Sequence, residues 1–197
     1  MPSIAVLIAD GFETVEALMV MDACRRAGLR TRLVSTTGTY QVISAQQVQV
    51  SADERLDAVD VSSFDCVVIP GGLPSVRRLH ANEAVRVLLR DFMGSKTVAA
   101  SGVAPIALGE LGLLAGRLAT VCPGYESVLP PGAYVDGAVV ASDGLITART
   151  VGDLVPYALA IIERLAGPSA AEKAAEGMGA EPTWRDAVLQ PTARTPR

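Results

Sequence analysis

The stretch Ser3–Leu29, SIAVLIADGFETVEALMVMDACRRAGL, carries two hydrophobic patterns in succession. Ser3 to Ala9 is a continuous apolar run with β-branched residues. Such a run reads as a strand buried on both faces, as in a parallel sheet. Asp10-Gly11 interrupts it. From about residue 13 to 27, Val15, Leu18, Met19 and Ala23 recur at helical spacing. Gly28 suits the position just past a helix end.

The alternation continues along the chain. RTRLVST is read as the next strand, and TYQVISAQQVQVS as a hairpin or pair of short strands. Phe64 to Ile69 is another buried strand, ending in Pro70-Gly71-Gly72. A helix is expected over 82–93, a strand over Val98–Ser101 and a helix over about 103–114. LATVC reads as a strand, YVDGAVVASDGLITA as strand, turn and strand, and 152–166 as a helix with Pro156 in its first turn. Strands alternating with helices predict an α/β fold with a mostly parallel sheet covered on both faces. The domain is expected to span 1–167, followed by a tail, 168–197, holding a short helix at about 169–177 and then flexible chain.

Composition narrows the function classes. Half of the 197 residues are apolar, 19% are charged and the net charge is −4. That balance predicts a soluble globular chain, and no basic patch suggests a nucleic-acid partner. No run reaches the length of a membrane helix, and the N-terminus reads as a first strand rather than a signal peptide. Cys24, Cys66 and Cys122 are scattered and odd in number, which gives neither a disulfide framework nor zinc spacing and fits a reducing cytoplasm. The only histidine, His80, is expected in a surface or capping role near a helix start, and it rules out a multi-histidine metal site within one chain. No metal and no cofactor is implied.

In an open parallel sheet, ligands bind beyond the carboxyl ends of the strands. Four such ends stand out. Glu16 lies on the opening turn of the first helix, where a partly buried carboxyl group can exchange a proton near neutral pH. Glu13 and Glu16 can equally serve only to favour the helix N-terminus. Gly71 and Gly72 can present backbone N–H groups to an oxyanion, or simply form a turn. Ser101-Gly102 stands at a strand-to-helix turn but does not match G-x-S-x-G, so Ser101 reads as a strand-end residue or helix cap. Cys122 ends the LATVC run just before Pro123 and is a candidate thiol.

Taken together, IAVLIADGFETVEALMVMDACRRAGL, FDCVVIPGG, VAASGVAPIALGELG and DGLITARTVGDLVPYALAIIERLAG resemble the ThiJ/PfpI superfamily, over about Ser3 to Gly167. The resemblance implies a flavodoxin-like α/β sandwich and a homodimer. Members are described as glyoxalases, deglycases, chaperones, isocyanide hydratases and proteases. It also implies a site made of a glutamate on the first helix, amides after the PGG strand and a cysteine at an A-A-x-C elbow. Glu16, Gly71 and Gly72 fall on the first two. The elbow reads Ala99-Ala100-Ser101-Gly102, which sets glycine at the cysteine position and Ser101 one place earlier, pointing away from the pocket. Cys122 stands where one branch of the superfamily has a histidine.

Glycine at the elbow relaxes an unfavourable φ and is expected to open space for a bulkier ligand. Three functions follow. One is an enzyme with Glu16 as general acid/base on a small organic substrate, by hydration, cyclisation, elimination or isomerisation, with Cys122 assisting. A second retains glyoxalase, deglycase or hydrolase chemistry with Cys122 as a relocated thiol. The third is a non-catalytic ligand-binding or stress-response protein. Arg25 and Arg26 either reach a partner subunit or the pocket mouth, or are solvated cations at a helix end.

Overall fold

The computed structural model describes residues 1–191. The first strand, β1 (Ser3–Ile8), is wholly buried. Its side chains alternate between two cores: Ile4, Val6 and Ile8 enter one, and Ala5, Leu7 and Ala9 the other. It is followed by α1 (Thr14–Arg26), β2 (Arg30–Ser35), β3 (Gln41–Ile43), β4 (Gln49–Ser51), β5 (Glu54–Arg55) and β6 (Cys66–Ile69). Then come α2 (Leu73–Ala81), α3 (Glu83–Ser95), β7 (Thr97–Ser101), α4 (Pro105–Glu110), β8 (Val139–Ser142) and β9 (Leu145–Ala148). The chain continues through α5 (Leu154–Ala166), α6 (Pro168–Met178) and β10 (Val188–Leu189).

The eight strands of the main sheet run in the order β10-β8-β9-β7-β6-β1-β2-β5. All pairs are parallel except β8 with β9. β3 and β4 form the separate antiparallel hairpin expected from sequence. Helices α1, α5 and α6 cover one face, with Val20, Tyr157 and Ala174 in that core. Val85, Leu89 and Phe92 of α3 and Leu108 of α4 fill the other. The fold is therefore the α/β, mostly parallel sandwich that the alternation predicts. β1 lies between β2, which follows it, and β6, which comes later. The order of the chain reverses at that point, the place where open α/β sheets bind their ligands.

Three expectations need correction. LATVC is not a strand of the sheet. Ala119 exchanges backbone hydrogen bonds with the 133–135 loop, and the Thr120 N–H donates to Thr147 Oγ1 at 2.9 Å, so loop partners satisfy this buried backbone. His80 stands just before the Asn82 cap of α3, near a helix start as expected, but a helix not expected, α2, holds it near its own end. That helix escapes a periodicity reading because it is short, although Pro74, two residues after Gly72, is a sound helix-start signal.

The third correction concerns the C-terminal segment. The short helix is present as α6, but the flexible chain expected after it is not found over residues 179–191. A 3₁₀ turn at Pro182–Ala187 places Trp184 in the core, and β10 pairs in parallel with β8. Residues 192–197 of the expected tail lie outside the described residues. Trp184 is 6% exposed. Trp184→Ala is therefore predicted to lower stability by about 3 kcal/mol in urea unfolding, as for a core aromatic; a flexible tail would leave the midpoint unchanged.

Candidate functional site

The site assembles at the reversal point. Three connections emerge there side by side: β1 into α1, β6 into α2 and β7 into α4. Glu16, the third residue of α1, projects from the first. It is only 4% exposed. Its Oε2 accepts two hydrogen bonds, from the Gly71 N–H and from the Ser101 hydroxyl, each at 2.6 Å. In return, the Glu13 N–H donates to the Gly71 carbonyl at 3.0 Å. The start of α1 is thus bound to the end of β6 in both directions.

Ser101 does not point away. Along β7, Val98 and Ala100 face the α3 and α4 core, whereas Ala99 faces α1 and α5. The two-residue period of a strand puts Ser101 on the same face as Ala99, toward Glu16. Tyr157 of α5 reaches the same region. Its hydroxyl is buried near Ser101 but forms no hydrogen bond of sound geometry. Burial, then the proximity of Cys66 and Glu16, hold its pKa well above the ordinary phenol value. Sequence reading had no signal for Tyr157, because only the packing of α5 brings it here.

Gly102 has φ +58°, a backbone conformation that side chains with a Cβ disfavour. The expectation that glycine opens room for a ligand is not met. A Cβ at residue 102 would lie 2.6 Å from Glu16 Oε1, so the carboxyl group itself occupies that space. Gly72, at φ +89°, lies so close to the Gly11 carbonyl oxygen that a Cβ there is excluded.

The expected oxyanion donors are only partly available. The Gly71 N–H is engaged with Glu16, and the Gly102 N–H donates to the Ala148 carbonyl at 3.0 Å. The Gly72 N–H has no acceptor among the described residues. Cys122 comes to the site through its backbone, its N–H donating to the Gly102 carbonyl at 2.9 Å. Its thiol is partly exposed. Burial, then the nearby Glu16 and Glu126 carboxylates, raise its pKa above the ordinary thiol value. The group is therefore held as the neutral thiol at pH 7, the less nucleophilic form.

Glu16 is shifted upward too. Removal from water is the largest cause, the hydrogen bonds from Ser101 and Gly71 oppose it, and the neighbouring Glu13 adds to it. Since Oε2 already accepts two donors, a bound proton resides on Oε1, beside the bare Cα of Gly102.

The sequence matches a known family over most of its length. The DJ-1/PfpI family model matches residues 2–164. The chain belongs to the DJ-1/PfpI family. Protein dj-1beta of Drosophila melanogaster is 34% identical over 179 residues, covering 89% of this chain and 96% of that protein. Protein DJ-1 homolog B of Arabidopsis thaliana is 32% identical over 168 residues, 84% of this chain; there the match spans only 38% of the longer relative. The solved structure of oxidized Toxoplasma gondii DJ-1 superposes with a TM-score of 0.88 at 29% identity, covering 91% of this chain and 99% of that one. A Caenorhabditis elegans relative, 29% identical over 84% of this chain and 89% of its own length, is named a glutathione-independent glyoxalase, so the DJ-1/PfpI family includes enzymes.

Among the described residues, no group of three His, Cys, Asp or Glu side chains is placed to hold a metal ion. No helix among them is long and apolar enough to cross a membrane. Arg25 and Arg26 are engaged within the chain. Arg25 bonds the Thr31 carbonyl and pairs with Asp53 at 2.7 Å, and Arg26 pairs with Asp22 at 2.6 Å.

Gly102→Ala tests the site's packing. The positive φ alone costs at least ~1 kcal/mol for a residue with a Cβ, and Glu16 must also move. The variant is predicted to unfold at lower urea and to alkylate Cys122 at a changed rate, because the carboxyl group beside that thiol is displaced. An unchanged unfolding midpoint would contradict both the backbone strain and the crowding of Glu16.

Proposed function

We propose that this chain is an enzyme in which Glu16 is the general acid/base acting on a small organic substrate, with no nucleophilic side chain at the elbow. The supporting observation is the Glu16 carboxyl group itself: nearly buried, anchored through one oxygen, with the other beside Gly102. A reacting oxygen or carbon beside Oε1 receives the proton, and the resulting carboxylate, steadied by Ser101 and Gly71, takes one back. Proton return to the same group suits hydration, elimination, cyclisation or isomerisation, which need no covalent intermediate. The Gly72 N–H is the amide left free to receive developing negative charge, and the neutral Cys122 thiol forms part of the wall.

The pH dependence follows from the direction of the shift. A raised pKa keeps Glu16 protonated above the ordinary carboxylate range, so the acid form persists toward neutral pH. For stability, the folded state binds the proton more tightly than the unfolded one. The Glu16 contribution is then fully present below the unfolded pKa and is lost as pH rises through the folded value. Glu16→Gln is predicted to remove that decline, which a urea titration over pH 4 to 8 reads (an order-of-magnitude window about the ordinary carboxyl value). Equal pH slopes in the two proteins would contradict the shift.

On substrate, Glu16→Gln is predicted to lower kcat by about 10²- to 10⁴-fold, the usual size of a general acid/base contribution. Cys122→Ser retains most of the rate. Turnover that survives Glu16→Gln would overturn this reading. The glyoxalase name of one relative and the place of Cys122 beside Gly102 favour a second reading, with Cys122 as the reacting thiol. Loss of methylglyoxal turnover in Cys122→Ser would support it, and absence of that turnover in the wild type would exclude it.

We further propose a cytoplasmic homodimer that binds no nucleic acid. Val15 of α1 and Ile43 and Val48 of the hairpin are large apolar side chains left exposed. Gln46 joins the hairpin to Glu13 and Thr14, so these side chains share one region of the surface. A single monomeric species in sedimentation at micromolar concentration would refute the dimer.

A further inference from the structure

A cavity of about 300 Å³ lies between α2, α4 and the loop after Cys122. Each wall continues directly from a part of the Glu16 site. Leu73 follows Gly71-Gly72, Ile106 stands one helical turn beyond Gly102, and Tyr125 follows Cys122, to whose carbonyl its N–H donates at 3.2 Å. Over this partly apolar lining stand three polar side chains, Arg77, His80 and Glu110.

Their pairing is uneven. Arg78 is held by the Asp10 and Pro74 carbonyls at 3.1 and 3.2 Å. Arg77, one residue earlier, has no hydrogen bond or ion pair among the described residues, although it lines the cavity. His80, one turn on from Arg77 along α2, has Nε2 3.6 Å from Glu110 Oε2. The one carboxylate in the cavity thus already faces the histidine, which leaves the guanidinium for an incoming anion. Guanidinium binds carboxylate through two parallel N–H···O bonds. The Tyr125 ring and Ile106 offer apolar contact beside it.

We infer that this cavity binds the non-reacting end of the substrate and selects small organic acids, with the carboxylate on Arg77 and a flat apolar body against Tyr125 and Ile106. The identification of this ligand with the substrate rests on the proposed function above; the binding itself does not. The volume is at the lower end for small-molecule sites, so a compact acid fits and a polymer does not.

The test uses 3-phenylpropionate, its neutral amide and inorganic phosphate as probes, followed by protein NMR titration. The acid is expected to bind saturably and to shift the Tyr125 ring resonances. The amide should bind about tenfold more weakly, as should the acid to Arg77→Met, while Arg77→Lys recovers part of the loss. Glu110→Gln should tighten the acid, because a like charge lining the same cavity is gone. Phosphate alone, lacking the apolar body, should not compete at equal concentration. Equal affinity for acid and amide, indifference to Arg77→Met, or phosphate binding as tightly as the acid would overturn the inference. The same titration on Glu16→Gln protein separates the two readings, since binding a non-reacting acid requires no proton transfer. Arg77-dependent binding alongside turnover that survives Glu16→Gln would sink only the acid/base reading. Glu16-dependent turnover without such binding would sink only this one.

Discussion

A carboxyl group taken out of water must find hydrogen-bond donors or give up its charge. Glu16 does part of each. The Gly71 N–H and the Ser101 hydroxyl meet one oxygen, and burial still drives the group toward its protonated form. Those two donors come from the ends of β6 and β7, and Glu16 from the helix after β1. One side chain therefore ties together three neighbouring strand ends. The constraint reaches the sequence as well, because Gly71 and Gly102 both lie where a Cβ would crowd its oxygens.

That constraint gives the unequal oxygens of Glu16 their roles. Oε2 is fixed and saturated, whereas Oε1 lies over a residue with no side chain. A cysteine thiol near a buried carboxylate is disfavoured as thiolate, and Cys122 follows that rule. Both effects are the basis of the proposed acid/base role. Membership of the DJ-1/PfpI family sets the frame, within which Gly102 and Cys122 carry the proposed departure.

Much of the fold was legible in the chain because its strands are buried on both faces. β1, β6 and β7 read as unbroken apolar runs, and the helix after β1 has clear spacing. LATVC misleads because an apolar, buried loop has the composition of a strand; only its partners, the 133–135 loop and Thr147, distinguish them. β10 has two residues, too few to show a pattern, and exists because β8 offers a free edge. At the site, Glu16 and the glycines were visible from position alone. The direction of Ser101 needed the phase of β7, and Tyr157 needed the docking of α5. Neither is a local property.

The proposed acid/base role depends on the protonation of Glu16. Infrared difference spectra between wild type and Glu16→Gln, recorded as a function of pH, isolate this one carboxyl group. The predicted result is a protonated-carboxyl C=O band that persists above the pH at which exposed carboxylates ionise, with loss of that band coinciding with loss of acid catalysis. A Glu16 band that disappears together with the exposed carboxylates would contradict the account.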